Sequence, residues 1–350
     1  GCGRGGHGVS MERPLTDVLA GLGAPRLVVV GDIVLDRYLT GRVDRISPEA
    51  PIQVLHVESE MERMGGAGSV GIDVAVFGAR TTLVGVVGDD EAAARIAAMA
   101  AEAGIDLLAH TDASRRTSVK TRHVARSHTS AQQVLRVDQE TVKPLGGPSS
   151  AAVRTILASA LEGADAVLVS DYGKGVCTPE LLHWLVQAGR EHGVPVVVDP
   201  KGRDFSRYRG VTACTPNRPE THLATGIEVA EGDFAAAERA ATKLVDELGL
   251  EFVLVTLDRE GMYLKVGDEP GVHIPTTPRE VFDVTGAGDM VISALAVALA
   301  SGATPGEAAG LANVAAGLEV EHLGVVSVTR EEILSRLASG GGATATKRID

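Results

Sequence analysis

Cysteine is nearly missing from this chain. Cys2, Cys177 and Cys214 stand far apart and form no CxxC pair. A disulfide framework or a Cys-based zinc site is therefore not supported, and a reducing compartment, the cytoplasm, fits. Aromatic residues make up only 3% of the 350 positions against 44% for all hydrophobic residues, so Ala, Val and Leu supply most of the apolar volume. That profile suits buried β-branched strands covered by Ala/Leu-rich helices. Positive charge is also short: 33 Lys and Arg against 46 Asp and Glu leave a net charge of −13. General nucleic-acid binding is thereby disfavoured, although a few local cations suffice for a small anionic substrate. No run approaches the roughly 20 apolar residues of a membrane span. Gly1–Ser10 lacks the apolar centre of a secretory signal, and no His/Asp/Glu spacing suggests a transition-metal site.

What is present is β-α alternation with two interruptions. Leu27–Val30, halted by Gly31-Asp32, has the short β-branched form of a buried parallel strand. Further strands are predicted at Thr81–Val87, Ala166–Ser170, Val194–Asp199, Ala213–Thr215, Phe252–Thr256 and Met262–Lys265. Helices are predicted from Gly65 toward Phe77, over Glu91–Ala103 and over Met290–Ala300. Residues 42–64 and 115–138 instead alternate apolar and polar positions, as antiparallel strands with one wet face do. They predict a small second sheet standing off the main one as a lid. The reading is one α/β domain over residues 26–338, with a flexible extension and lead-in at 1–25 and a flexible tail at 339–350.

The stretch Asp283-Val-Thr-Gly-Ala-Gly-Asp289 carries the most chemistry. Its two glycines let backbone approach a ligand closely, and an apolar helix follows, so N–H groups gather at the positive end of a helix dipole. A carboxylate there, Asp289, suits proton abstraction from an attacking hydroxyl beside a cradled phosphoryl group. A bare GxG would more often be a tight loop and nothing else; the full string with its helix reverses that balance.

This string resembles the C-terminal signature of the PfkB, or ribokinase-like, carbohydrate kinases. Gly65-Gly-Ala-Gly-Ser-Val-Gly71 resembles that family's glycine signature, and Thr215-Pro-Asn-Arg-Pro-Glu220 its Asn-x-x-Glu element, in the family's order across Arg26–Arg330. The resemblance implies a three-layer α/β/α sandwich with a small β-sheet lid, and ATP and Mg²⁺ as cofactors; lid strands with exposed edges tend to pair with another subunit, so a homodimer through the lid is expected. The resemblance also implies Asp289 as base, with Gly286, Ala287 and Gly288 as anion hole. Asn217 and Glu220 would organise Mg²⁺, held by Glu220 through water, and the nucleotide phosphates; viewed alone, the pair could equally cap a helix. Thr256, Gly261 and Asn313 fall with the nucleotide by the same resemblance.

Gly31–Tyr38, Arg45–Pro51, Ser170–Gly175, Asp199–Gly202 and Phe205–Gly210 are similar to the branch of the family that phosphorylates C1 of D-glycero-β-D-manno-heptose 7-phosphate. Sugar contacts would come from Asp36, whose two acceptor oxygens suit neighbouring hydroxyls, and from Gly65, Gly66 and Ser69. Ser69 stands where the family's usual residue is Asn. Arg45, Arg136 and Lys174 are the candidate phosphate cations, each equally readable as a solvated surface charge. The tail is too short for the nucleotidyltransferase domain fused to many relatives, so the kinase half alone is expected. A kinase for ribose or a fructose phosphate, and a non-catalytic sugar-binding regulator, are the competing readings. A dinucleotide-binding dehydrogenase is excluded, because no glycine triplet follows the first strand.

Overall fold

Alternate residues of strand β1 (Arg26–Gly31) enter two different cores: Leu27 and Val29 join one apolar cluster, Val28 and Val30 the other. Successive side chains of a strand point to opposite faces, so this sheet is covered on both sides. The computed structural model describes residues 13–126, 131–276, 286–322, 326–339 and 347–348. In chain order the other strands are β2 (Ile33–Ile46), β3 (Gln53–Gly66), β4 (Arg80–Val87), β5 (Asp106–Thr111), β6 (Ser118–Arg126) and β7 (Ala131–Gln139). They continue with β8 (Ala166–Ser170), β9 (Val196–Asp199), β10 (Ala213–Cys214), β11 (Phe252–Thr256), β12 (Met262–Val266), β13 (Val272–Ile274) and β14 (Lys347–Arg348).

The main sheet runs β14-β13-β12-β11-β10-β9-β8-β1-β4-β5. It is parallel from β11 to β5, and β12, β13 and β14 extend it in antiparallel pairs. Helices Ala67–Val76, Ala287–Ala300 and Pro305–Glu319 pack on one face, and Gly147–Ala160, Pro179–His192 and Phe234–Leu248 on the other. The result is a three-layer α/β/α sandwich. Small side chains let the helices approach closely: Met290–Ala298 is buried without a break.

The four strands β3-β2-β6-β7 form a separate sheet. Its inner end is continuous with the main body, because β2 starts two residues after β1 ends. Its outer strand β7 is exposed at all nine positions, although the alternation of the sequence predicts one dry face; among the described residues no element covers it.

Three boundaries differ from the sequence reading. Gly65 and Gly66 close β3, paired with Val34 and Ile33, and the helix starts only at Ala67. The lead-in holds a helix, Leu15–Ala20, whose Leu15, Val18 and Leu19 enter the core with Leu22. In the tail, Lys347–Arg348 pairs with β13. Residues 1–12, on which part of the flexible-extension reading rests, lie outside the described residues, as do 340–346 and Asp283–Thr285 of the signature.

Candidate active site

The parallel strands deliver their carboxyl ends to one cavity of about 280 Å³. Asp171 follows β8, Asp199 ends β9, Thr215 and Asn217 follow β10, and Thr256 ends β11; all line it. Ligand crevices in open α/β sheets lie outside such strand ends. The small sheet closes the other wall with Asp36, Tyr38, Arg63, Lys120 and Arg122.

Gly286 precedes the helix Ala287–Ala300 with φ +99° and, with Gly288 and Asp289, lines the cavity. A residue with a Cβ would be strained there. The N–H groups of Ala287, Gly288 and Asp289 belong to the first helical turn, which has no earlier carbonyl to bond, so they are available to an anion. Asp289 itself is buried. Its Oδ1 accepts a 2.8 Å hydrogen bond from the Tyr172 hydroxyl, and the Ser69 hydroxyl bonds the same carboxyl group. Burial pushes its pKa up to about 6, and the two hydrogen bonds and Lys120 restrain the rise while Asp36 adds to it.

Tyr172 owes its place to Asp32. This buried carboxylate accepts the N–H groups of Tyr172 (3.0 Å), Lys174 (2.9 Å) and Val176 (3.0 Å), fixing the turn that leaves β8. Behind it, Asp171 is held by Arg207 at 2.5 Å and by the Tyr208 hydroxyl at 2.7 Å. The string Ser170–Gly175 was the available signal for Tyr172: a tyrosine two residues past a strand end, in a glycine-rich turn.

On the opposite side, Asn217 caps the helix Arg218–Thr225. Its side chain accepts the Glu220 N–H at 2.9 Å, while Glu220 Oε2 accepts the Asn217 N–H at 3.1 Å. The helix cap read from the sequence is thus present, and each residue of the pair also lines the cavity. Glu220 Oε1 accepts from Lys201 Nζ at 2.9 Å. Asp199 is pushed far above the usual carboxylate range by burial and by the neighbouring Asp289 and Glu220. Among the described residues no three potential ligands gather tightly enough to chelate a metal. Crowded carboxylates facing an open cavity do suit Mg²⁺, which keeps most of its waters and takes one or two carboxylates.

The register of the small sheet sets its cavity face. Asp36 lies opposite Arg63 on β3 and Lys120 on β6, and Lys120 opposite Asp138 on β7. In the next row Tyr38 lies opposite Met61 and Arg122, and Arg122 opposite Arg136. Arg122 Nη1 donates to Asp36 Oδ1 at 2.5 Å. Lys120 Nζ stands 5.5 Å from the Tyr172 ring centroid, and its pKa is lowered by burial. Gly65 must lack a side chain, because a Cβ there would meet Asp36 Oδ2 at 2.1 Å.

The structure therefore brings together Asp36, Gly65, Gly66, Ser69, Asn217, Glu220, Thr256, Gly286, Gly288 and Asp289. It sets several other candidates apart. Arg45 is exposed, Arg136 is bonded by both ends of its guanidinium to Asp138, and Lys174 pairs with Glu140 at 2.7 Å. Gly261, at φ +92°, shapes the turn before β12 against the Ile274 carbonyl, and buried Asn313 donates to the Pro275 carbonyl. Neither these five nor Ala287 lines the cavity. The cations that do are Arg63, Lys120, Arg122 and Lys201, which sequence reasoning passed over.

Residues 24–332 match the model of the pfkB family carbohydrate kinases. The chain is 44% identical over 340 residues to the bifunctional protein HldE of Caulobacter vibrioides, covering 97% of this chain and 69% of that one. It is 44% identical over 314 residues to HldE of Trichlorobacter lovleyi, covering 89% and 63%; the chain thus spans about two thirds of these relatives' length. Among solved structures, Escherichia coli phosphofructokinase-2 superposes with a TM-score of 0.75 at 18% identity, covering 91% of this chain and 99% of that one. Arabidopsis thaliana ribokinase complexed with ribose and ATP gives 0.68 at 22%, covering 90% and 99%. At such identities these likenesses speak for a ribokinase-like fold alone.

Proposed function

The chain belongs to the pfkB family of carbohydrate kinases, and from that premise we propose that it transfers the γ-phosphoryl group of ATP to the C1 hydroxyl of D-glycero-β-D-manno-heptose 7-phosphate, giving the 1,7-bisphosphate. The observation that carries the reading is one carboxylate, Asp289, placed at the free N–H groups of a helix and facing the same cavity as Asp36 and three small-sheet cations. The substrate assignment rests on the resemblance of Gly31–Tyr38, Arg45–Pro51 and Ser170–Gly175 to the heptose-phosphate branch and on those cations, which suit a phosphorylated sugar.

Asp36 would take hydroxyls at the sugar end, with Gly65 and Gly66 giving the ring close access. The C1 hydroxyl would lose its proton to Asp289, whose carboxylate Tyr172 and Ser69 hold in place. Ser69, which lines the cavity as well as bonding Asp289, would serve the base beside the sugar contact expected of that position. The N–H groups of Ala287, Gly288 and Asp289 would stabilise charge on the transferring group. Mg²⁺, when bound, neutralises phosphate charge, and Glu220 would hold it through water beside Asn217. Thr256 would face the nucleotide. A use of ATP would suit a cytoplasmic location. We also infer a homodimer through the small sheet, supported by exposed Leu135 and Val137 on its edge strand β7 and Val57 and Met61 on the opposite edge strand β3.

The test is ADP release with MgATP across heptose 7-phosphate, fructose 6-phosphate, fructose 1-phosphate, ribose and buffer. Turnover with the heptose phosphate far above the rest is expected. Preference for another sugar would overturn the substrate, and silence throughout, with ATP still bound, would favour a sugar- or nucleotide-binding regulator.

A further inference from the structure

The carboxylate best placed for sugar hydroxyls is already occupied. Arg122 Nη1 holds Asp36 Oδ1 at 2.5 Å, while Asp36 Oδ2 lies where a side chain at Gly65 would be. One of the two acceptor oxygens is thus taken by the protein's own guanidinium, and the other is packed beside Gly65. Lys120 and Arg63 flank Asp36 on its two neighbouring strands, and both line the cavity with Asp36 and Arg122. The next carboxylate outward, Asp138, is engaged by Arg136 through two hydrogen bonds. Lys120 makes no ion pair among the described residues and lies over the Tyr172 ring.

We propose that Arg122 is a specificity-determining residue that blocks Asp36 until an anionic group on the sugar draws it away, so that the substrate's phosphate uncovers the carboxylate that binds its hydroxyls. This rests on the phosphosugar reading above and deepens it. A phosphate entering beside Arg63 and Lys120 offers Arg122 the bidentate geometry it favours, so one charge-assisted bond is exchanged for another. Both members of the pair keep about a fifth of their side-chain surface exposed, 18% and 19%. Water therefore reaches both, and a group entering the cavity can reach them by the same side. A neutral sugar has nothing comparable to offer, and its hydroxyls must displace a guanidinium from Asp36 unaided. Discrimination against unphosphorylated sugars then comes from an obstacle they cannot remove as well as from a contact they lack.

The experiment compares kcat/KM for heptose 7-phosphate and for unphosphorylated heptose in wild type, Arg122→Met and Arg122→Lys. Arg122→Met is expected to lose about 100-fold on the phosphosugar and to gain about fivefold on the neutral sugar. Arg122→Lys, which keeps the charge without the fork, should fall between. Inorganic phosphate added with the neutral sugar should activate the wild type and leave Arg122→Met unchanged. Equal losses on both sugars, or no activation of the wild type, would overturn the proposal. A second measurement needs no turnover: the carboxyl ¹³C signal of Asp36, assigned with Asp36→Asn, should move with inorganic phosphate in wild type and stay fixed in Arg122→Met. A wild-type signal unmoved at saturating phosphate would overturn the exchange. Failure of the phosphosugar reading would show separately, as a wild type that turns over no phosphosugar, and the ¹³C titration would then decide the exchange by itself.

Discussion

The hydroxyl of Tyr172 donates a 2.8 Å hydrogen bond to Oδ1 of Asp289, across 117 residues of sequence. That bond favours the charged carboxylate and holds down a pKa that burial pushes up to about 6. A base must be unprotonated, so kcat/KM should fall as pH drops through this value. In Tyr172→Phe the pKa loses one of its restraints, and the acid limb should move to higher pH by about 0.5–1 unit. The pH profile of both proteins checks this: a loss confined to low pH is expected. A uniform loss at every pH would assign Tyr172 another role.

Replacing the base itself tests the assignment directly. Asp289→Asn keeps the shape of the side chain and the helical N–H groups while removing proton abstraction. It is expected to lower kcat by about 10²–10⁴-fold, with ATP affinity by calorimetry close to wild type. Near-normal turnover would remove Asp289 from the mechanism.

The two signature motifs were legible because they are local. Gly286 to Asp289 sit on four consecutive residues, and Asn217 and Glu220 on one helical turn, so their resemblance to short family signatures is readable without the fold. The main-sheet strands were legible for the same reason: buried parallel strands read as short β-branched runs, and Ala166–Ser170 and Phe252–Thr256 fall on the expected residues. The cavity cations were not legible. Lys120 and Arg122 reach Asp36 and Tyr38 through a parallel pairing of β2 with β6, across more than eighty positions, and no local pattern specifies that register. Arg136 and Lys174 look the same in sequence as Arg122, yet each has a carboxylate partner outside the cavity lining.

The close approach of Gly65 to Asp36 gives a substitution that separates the two substrates. Gly65→Ala would place a Cβ about 2.1 Å from Asp36 Oδ2, so the carboxylate must turn aside. The sugar KM is expected to rise about tenfold or more while the KM for ATP holds, because only the sugar wall is disturbed. Equal rises in both constants, measured by varying each substrate, would indicate a general distortion.

Stability should carry its own pH signature through Asp73. This residue is 1% exposed and accepts a bond from Ser327 at 2.5 Å, and burial pushes its pKa up to about 8. Unfolded, it would titrate near its ordinary value of about 4. Between about pH 4 and 8 the folded state therefore retains a proton that the unfolded state releases, and stability falls as pH rises through that window. Asp73→Asn, neutral throughout, should flatten the fall in Tm by about 2–4 °C between pH 5 and pH 8. Identical slopes for the two proteins would contradict the assignment.

The helix that bears Asp289 has ten consecutive buried residues, Asp289–Ala298, beneath the main sheet, whereas β7, an edge strand of the small sheet, touches solvent at every position. On the proposed function the two reactants would be received by unequally buried parts: the packed helix for the phosphoryl group and the more exposed sheet for the sugar. Whatever adjustment brings the hydroxyl within reach of phosphorus would fall to the more exposed part. Substitutions that stiffen or load the small sheet should change the rate of the cycle without altering the cradle that receives the charge.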